Sequence, residues 1–339
     1  MTAALPEVHV IAEAGTNHNG RVDTALKLAN AAQEAGADSV KFQMIFPAGL
    51  YLPSLWQDGK LTENTVFAAR TRAALSGSGF SRIAGHCKSI GIPFSASVFD
   101  RAGLDLLREL EAPYIKLASC DLNNGPLLRM AAERGRRLIL STGMSSLGEI
   151  ETAVRTVLDT GNRDLVLMHC VSVYPCPVEI TNLGFLDTLK SAFGLPVGFS
   201  DHTQSSIAAA IAVSKGVTWI EKHFTLDRKD EGFDHAYAAE PATLTAYVAD
   251  IRSAIQACAP GQPKTREAEA GVRKRARRAL YAARDLAPLE VVREEDVLIV
   301  RPEGPMEPND LHRVVGASAR RAVRRYEPFS PDALIAKER

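Results

Sequence analysis

The sequence predicts an α/β fold, an eight-stranded (β/α)8 barrel followed by a small β-rich domain. Three observations carry this. Eight short apolar runs alternate with amphipathic helical patterns over about 220 residues, which argues for parallel strands joined by helical crossovers. Polar or ionisable residues punctuate the C-terminal ends of those runs. The composition then shifts to small and charged residues at 256–277, and short β-rich pieces follow, broken at Pro, Gly and Asp.

The runs, in order, are VHVIAE (8–13), SVKFQ (39–43), PFSASVF (93–99), YIKLAS (114–119), RLILSTG (137–143), LVLMHC (165–170), PVGFSDH (196–202) and TWIEKHF (218–224). Between them lie helical stretches such as VDTALKLANAAQEAGA and GEIETAVRTVLDTG, several closed by Gly as a helix C-cap. The second connection, residues 44–92, is long and contains YLPSLWQDGK, which suggests a loop over the barrel mouth. These features divide the chain into a barrel (1–257), a linker (258–277) and a compact tail domain (278–339).

The chain of 339 residues is 46% hydrophobic, ample for a large core, and its 40 Lys and Arg balance its 40 Asp and Glu. A net charge of zero removes any bulk electrostatic case for nucleic acid or a membrane surface. The basic runs at Arg273-Lys274-Arg275 and Arg320-Arg321 read as solvated faces, since no aromatic residues interleave with them. No apolar stretch is long enough to span a bilayer, and the N-terminus lacks a basic segment leading into an apolar one. Five cysteines, odd in number and without a CxxC pair, point to reduced thiols and a cytoplasmic setting.

A barrel of this kind carries its active site at the C-terminal ends of its strands. The polar residues there are Glu13, Asn17, His18, Asn19, Lys41, Gln43, Lys116, Ser119, Asp121, Ser141, Thr142, Ser172, Tyr174, His202 and His223. His202 and His223 close adjacent runs, so two imidazoles could hold a divalent metal with most coordination positions left open. Lys41 and Lys116 sit inside apolar strands. A lysine is rarely buried unpaired, so the two imply an anionic ligand such as phosphate or carboxylate, unless each merely pairs with Glu13 or Asp121.

The segments IAEAGTNHNG (11–20), AGADSVKFQ (35–43), YIKLASCDLNNGPLL (114–128), LILSTGMSSLGEI (138–150), SVYPCPVEITNL (172–183), GFSDHT (198–203), IEKHFTLDR (220–228) and DHAYAAEP (234–241) resemble the sialic acid synthases. These are the N-acetylneuraminate, legionaminate and pseudaminate synthases. The tail RRALYAARDLAPLEVVREEDVLIVRP (277–302) resembles their antifreeze-like (SAF) domain. The resemblance implies condensation of phosphoenolpyruvate with the open-chain aldehyde of an N-acyl hexosamine, giving a nine-carbon 2-keto acid and phosphate.

By the same resemblance, Lys41, Lys116, Ser119 and Ser200 would bind phosphoenolpyruvate, with Ser141 and Ser172 beside them. His202 and His223 would hold Mn2+ or Mg2+, and Glu13 would assist proton transfer. Gln43, Tyr174 and Asp234 would contact the sugar, and Arg301 would reach the partner's sugar site in a domain-swapped homodimer. Asp121, a further catalytic candidate, stands where many bacterial relatives carry Glu; the synthases acting on phosphorylated sugars resemble this chain there, which leaves open whether the sugar is 6-phosphorylated. Two other readings fit the residues: a phosphoenolpyruvate-dependent deoxy-acid synthase for a different aldehyde, and a non-catalytic barrel serving as a scaffold.

Overall fold

The computed structural model describes residues 7–259 and 267–335. In chain order the strands are β1 (His9–Gly15), β2 (Ser39–Met44), β3 (Ser54–Gln57), β4 (Lys60–Glu63), β5 (Phe94–Val98), β6 (Tyr114–Leu117), β7 (Arg137–Ser141), β8 (Leu165–His169), β9 (Val197–Asp201), β10 (Trp219–His223), β11 (Ala279–Ala282), β12 (Val297–Val300), β13 (Ser318–Ala319) and β14 (Leu334–Ile335). The helices are α1 (Val22–Glu34), α2 (Pro47–Leu50), α3 (Thr65–Arg72), α4 (Gly77–Ile90), α5 (Arg101–Glu109), α6 (Gly125–Ala132), α7 (Leu147–Leu158), α8 (Phe185–Phe193), α9 (Ile207–Ser214), α10 (Pro241–Ala257), α11 (Glu267–Ala276) and α12 (Leu311–Val314). The chain forms two compact units, residues 1–260 and 261–339.

The first unit is the expected (β/α)8 barrel. Its strands close in the order β1-β10-β9-β8-β7-β6-β5-β2, every pair parallel. Strand parity sorts the residues. On β1, Val10, Ala12 and Ala14 pack outward into the shell shared with the helices, while Ile11 joins Tyr114, Ile139, Val166, Met168 and Trp219 in a separate interior cluster. That plug fills the N-terminal half of the barrel. Polar residues two positions further along the same strands therefore face the open, C-terminal end.

Side chains set the helix starts. Asn64, Ser76, Asp100, Asn124 and Ser146 each accept a backbone N–H in the first turn of the helix that follows, and Ser146 forms a capping box with Glu149. Connection 44–92 is more ordered than a bare loop. It holds α2, an antiparallel hairpin of β3 and β4, and α3 before the barrel helix α4.

In the second unit β11 pairs with β12 and β13 with β14, around a core that includes Leu280, Leu286, Val292, Met306, Val314 and Phe329. Part of the expected linker is helical. Helix α11 is tied to this unit by the Arg273–Glu303 ion pair at 2.9 Å and by Glu303 N–H donating to the Lys274 carbonyl at 3.0 Å. Residues 260–266 of that linker lie outside the described residues.

Candidate active site

Inward parity at the C-terminal ends of the barrel strands gathers Glu13, Lys41, Gln43, Ser97, Lys116, Ser141, Ser200, Glu221 and His223 around one cavity of about 300 Å³. The loops that follow the strands add Ser119, Cys120, Cys170, Ser172, Tyr174 and His202 to its walls. Lys222, one residue out of phase, points to the other face of β10 and meets Asp201 at 3.2 Å. A larger cavity, about 720 Å³, lies at the opposite end of the barrel beside His9, Arg137 and Arg252. Its arginines are already paired, Arg137 with Asp164 at 2.8 Å and Arg252 with Asp38 at 2.7 Å, so it lacks convergent free polar groups.

The C-terminal cavity has an ionic floor. Lys41 Nζ stands 2.6 Å from Glu13 and 3.5 Å from Glu221, and Lys116 Nζ stands 3.3 Å from Glu221. All four side chains are buried. Hydroxyls complete the set: Lys41 donates to Ser97 Oγ at 2.8 Å, and Ser200 Oγ donates to Glu221 Oε1 at 2.9 Å. The two carboxylates are driven apart. Burial raises Glu13 to a pKa of about 7, against the pull of Lys41 and with reinforcement from Glu221. Burial also pushes Glu221 up, but Lys116, Lys41, His223 and the Ser200 hydroxyl outweigh it and hold Glu221 well below the carboxylate range. The floor thus sets two lysines against two carboxylates, and burial disfavours the ionised form of Glu13, a balance that favours a bound anion.

Gly143 follows β7 at a close approach. A Cβ there would stand 2.6 Å from Ser172 Oγ and 2.8 Å from Ser119 Oγ. Its backbone N–H instead donates to Ser119 Oγ at 3.0 Å, and Ser119 Oγ lies 3.2 Å from Cys170 Sγ. The tight turn after β7 thereby brings the hydroxyls of Ser119 and Ser172, from the loops after β6 and β8, together on the cavity wall.

The histidines form the other wall. His202 Nδ1 lies 2.7 Å from the Val171 carbonyl, which can only accept, so Nδ1 carries the proton and the Nε2 lone pair faces Ser200 Oγ at 3.3 Å. Burial, with His223 adding to it, lowers the His202 pKa to about 4, and burial lowers that of His223 as well. His223 Nδ1 is buried without a hydrogen-bond partner. The two rings are 5.7 Å apart between centroids, and Tyr174 packs on His202 at 4.2 Å. Among the described residues no group of three or more His, Cys, Asp and Glu side chains is placed to hold a metal. Two neutral imidazoles, each with an unprotonated ring nitrogen, nevertheless fit a divalent ion that takes its other ligands from water and substrate.

Beside them Gln43 Nε2 donates to Glu13 Oε1 at 3.2 Å, and Tyr237 OH donates to Asp234 Oδ1 at 2.5 Å. Asp234 Oδ2 is buried without a partner. Three of the sequence-derived residues, Asp121, Asp234 and Arg301, stand apart from the cavity lining. Asp121 is buried after β6 and accepts from Asn124 Nδ2 at 3.1 Å. Arg301 follows β12 in the second unit and is exposed. The alternative pairing of a lysine with Glu13 is real for Lys41, whereas Lys116 pairs with Glu221 rather than Asp121. Glu221, Ser97 and Tyr237 escaped the sequence reading. The signal for Glu221 was its position two residues before His223, which puts both on one face of the strand.

Comparison with known proteins identifies the family and the fold. Residues 28–263 match the NeuB family, and residues 277–335 match the SAF domain. The chain is 34% identical over 318 residues to N,N'-diacetyllegionaminic acid synthase of Legionella pneumophila, covering 91% of this chain and 89% of that protein. It is 34% identical over 265 residues to N-acetylneuraminate-9-phosphate synthase of Drosophila melanogaster, covering 77% of this chain and 71% of that protein. The crystal structure of N-acetylneuraminic acid synthetase from Leptospira borgpetersenii in complex with citrate superposes with a TM-score of 0.70 at 32% identity, covering 80% of this chain and 92% of that one. The chain is an enzyme of the NeuB family, a barrel synthase with a C-terminal SAF domain.

Proposed function

We propose that this protein condenses phosphoenolpyruvate with the open-chain aldehyde of an N-acyl hexosamine to give a nine-carbon 2-keto sugar acid and inorganic phosphate. One observation carries the reading most directly: two buried lysines share an incompletely balanced ionic floor, 2.6–3.5 Å from their carboxylates, in the same cavity as two neutral histidines. The relatives named as legionaminic acid and N-acetylneuraminate-9-phosphate synthases support it.

In this reading Lys41 and Lys116 neutralise the phosphate and carboxylate of phosphoenolpyruvate, and Ser119, Ser141, Ser172 and Ser200 orient its oxygens. The enol C3 forms a bond to the aldehyde carbon. Water adds at C2, the C2–O bond to phosphate breaks, and phosphate leaves with the electron pair. Glu13, whose protonated form burial favours, serves as the proton carrier at the sugar end, where Gln43 Nε2 donates to its Oε1. His202 and His223 would hold the Mn2+ or Mg2+, whose chemistry when bound is polarisation of the aldehyde oxygen. Gln43, Tyr174 and Asp234 align the sugar chain.

We further propose a homodimer in which residues 278–339 of each chain cover the partner's barrel mouth and deliver Arg301 in trans. Among the described residues no helix is long and apolar enough to cross a membrane. The described cysteines are free, in keeping with a cytoplasmic enzyme.

Mass spectrometry of reactions containing phosphoenolpyruvate and a panel of N-acyl hexosamines tests the reading. The expected product has the mass of both substrates plus water less phosphoric acid, with one phosphate released per product. Turnover only with other sugar aldehydes would shift the assignment to a different deoxy-acid synthase. No consumption of phosphoenolpyruvate with any aldehyde, with metal present, would favour a scaffold.

A further inference from the structure

Two charged residues stand directly behind the histidine wall, on the outer face of the barrel. Along β9 and β10 the residues out of phase with the interior are Val197, Phe199 and Asp201 on one strand and Ile220 and Lys222 on the other. Val197, Phe199 and Ile220 join the apolar shell shared with the helices. Charge replaces apolar packing only at the last register pair, Lys222 opposite Asp201, one residue before each histidine.

The pair sits in a closed network. Lys222 Nζ donates to Asp201 Oδ2 at 3.2 Å and to the Thr203 carbonyl, and it stands 4.9 Å from the centroid of the Tyr247 ring, contributed by α10. Asp201 Oδ2 also accepts from Tyr247 OH at 2.8 Å, and Oδ1 accepts from the Thr203 N–H at 2.8 Å. Asp201, Lys222, Thr203 and Tyr247 are all buried. One ammonium group thus grips both chain neighbours of His202 and is itself the chain neighbour of His223. On the inner face the preceding register pair is joined as well, Ser200 Oγ donating to Glu221 at 2.9 Å. The two strands are therefore laced on both faces where they present their imidazoles.

Stability alone does not call for this pair. Well-packed apolar side chains often replace a buried ion pair at no cost, because desolvation offsets the Coulomb attraction. The shell already holds such residues on the same strands. What they cannot supply is directional hydrogen bonding between β9 and β10 at the point that sets the ring separation, 5.7 Å between centroids. His202 is anchored through Nδ1 on the Val171 carbonyl, whereas His223 Nδ1 has no hydrogen-bond partner. The place of the His223 ring relative to His202 then depends on the β10 backbone, which Lys222 ties to both sides of His202.

We propose that Lys222 and Asp201 are positioning residues which, from outside the barrel, fix the spacing of His202 and His223 and so preorganise the pair for a divalent cation. This rests on the proposed metal role of the two histidines. Neither positioning residue lines the cavity, so neither touches substrate or metal.

The test is Mn2+ binding to the full chain without substrate, followed by electron paramagnetic resonance of the free ion, beside the melting temperature of the metal-free protein. Lys222→Met is expected to raise the Kd for Mn2+ by roughly tenfold or more, the scale on which residues supporting metal ligands act. Because Lys222→Met strands a buried carboxylate, the double variant Asp201→Asn with Lys222→Met is measured with it. That variant carries no unpaired buried charge and keeps acceptors for Tyr247 and Thr203, so its melting temperature should stay near that of wild type while its Mn2+ affinity falls as in the single variant. Lys222→Arg should restore part of the affinity. A merely structural role would lower the melting temperature and leave the Kd of the folded protein unmoved. An unchanged Kd in the double variant, or a collapse of melting temperature in parallel with affinity, would overturn the proposal. Wild type that binds no Mn2+ would remove the two-histidine site itself and this proposal with it, an outcome distinct from a wild-type site that the variants leave intact.

Discussion

Glu221 and Lys116 meet at 3.3 Å inside the barrel, both buried, and the same carboxylate lies 3.5 Å from Lys41. Glu221 is thus the common counter-charge for both lysines proposed to bind phosphoenolpyruvate. It compensates them without cancelling them, since one carboxylate is shared by two ammonium groups and burial disfavours the ionised form of Glu13.

Replacing Glu221 by Gln should therefore expose a charge imbalance. Breaking a buried ionic cluster costs about 3–5 kcal/mol, because the remaining charges stay desolvated. We expect a loss of that order in unfolding free energy by denaturant titration. Added phosphoenolpyruvate should raise the melting temperature of Glu221→Gln by more than that of wild type, because the anion supplies the missing charge. Equal ligand shifts in the two proteins would remove Glu221 from this role.

His202→Ala is expected to lower activity by more than about a hundredfold, the scale of losing one preorganised electrostatic stabiliser. Chelation should do the same to wild type, and Mn2+ or Mg2+ should restore it. A rate untouched by chelation would refute the two-histidine site.

The barrel was readable because strand length, alternation and helix caps all agree on it. Lys41 and Lys116 stood out as charges inside apolar runs. Glu221 did not, because TWIEKHF presents Glu, Lys and His in succession and only the register shows which faces inward. Glu221 and His223 do. Lys222 packs outward, hydrogen-bonding Asp201 with its ammonium 4.9 Å over the Tyr247 ring. The 44–92 segment resisted reading for a different reason: α3 has no buried stripe, so no periodicity marks its face. Its contacts through Arg70 to Thr16 and Phe233 bridge sequence distances that no local pattern encodes.

Protonation of the half-buried His9 should weaken the fold in mild acid. His9 lies at the closed end of the barrel, where burial lowers its pKa to about 4, with Asp38 opposing and Arg252 and Arg137 reinforcing. A folded pKa below the unfolded value of 6.5 contributes stability that is whole above pH 6.5 and is lost as pH falls toward 4. The contribution is of the order of 2–3 kcal/mol. Glu13, raised to about 7, works in the opposite sense over the same range, so the informative quantity is a difference. The melting temperature of His9→Gln should fall less between pH 7 and pH 5 than that of wild type. Parallel curves would show that His9 does not titrate as its burial requires.

Arg301 offers the sharpest test of assembly. It follows β12 in the SAF domain and is exposed, and among the described residues of its own unit no ion pair holds it. An exposed arginine with its fork free is suited to the oxygens of a sugar. If it acts in trans, Arg301→Ala and His223→Ala should each be inactive alone and regain part of the activity when mixed under conditions that let subunits exchange. The heterodimer would hold one barrel with an intact His223, covered by the partner chain's tail with its Arg301 intact. A statistical mixture makes half of all dimers hybrid, each with one working site of two, so recovery should approach about a quarter of wild-type activity per subunit. Arrangement in cis predicts none, because the chain with the intact histidine carries the mutated arginine. Absence of recovery despite exchange shown by mass spectrometry, or full activity in a monomer, would exclude the swapped dimer.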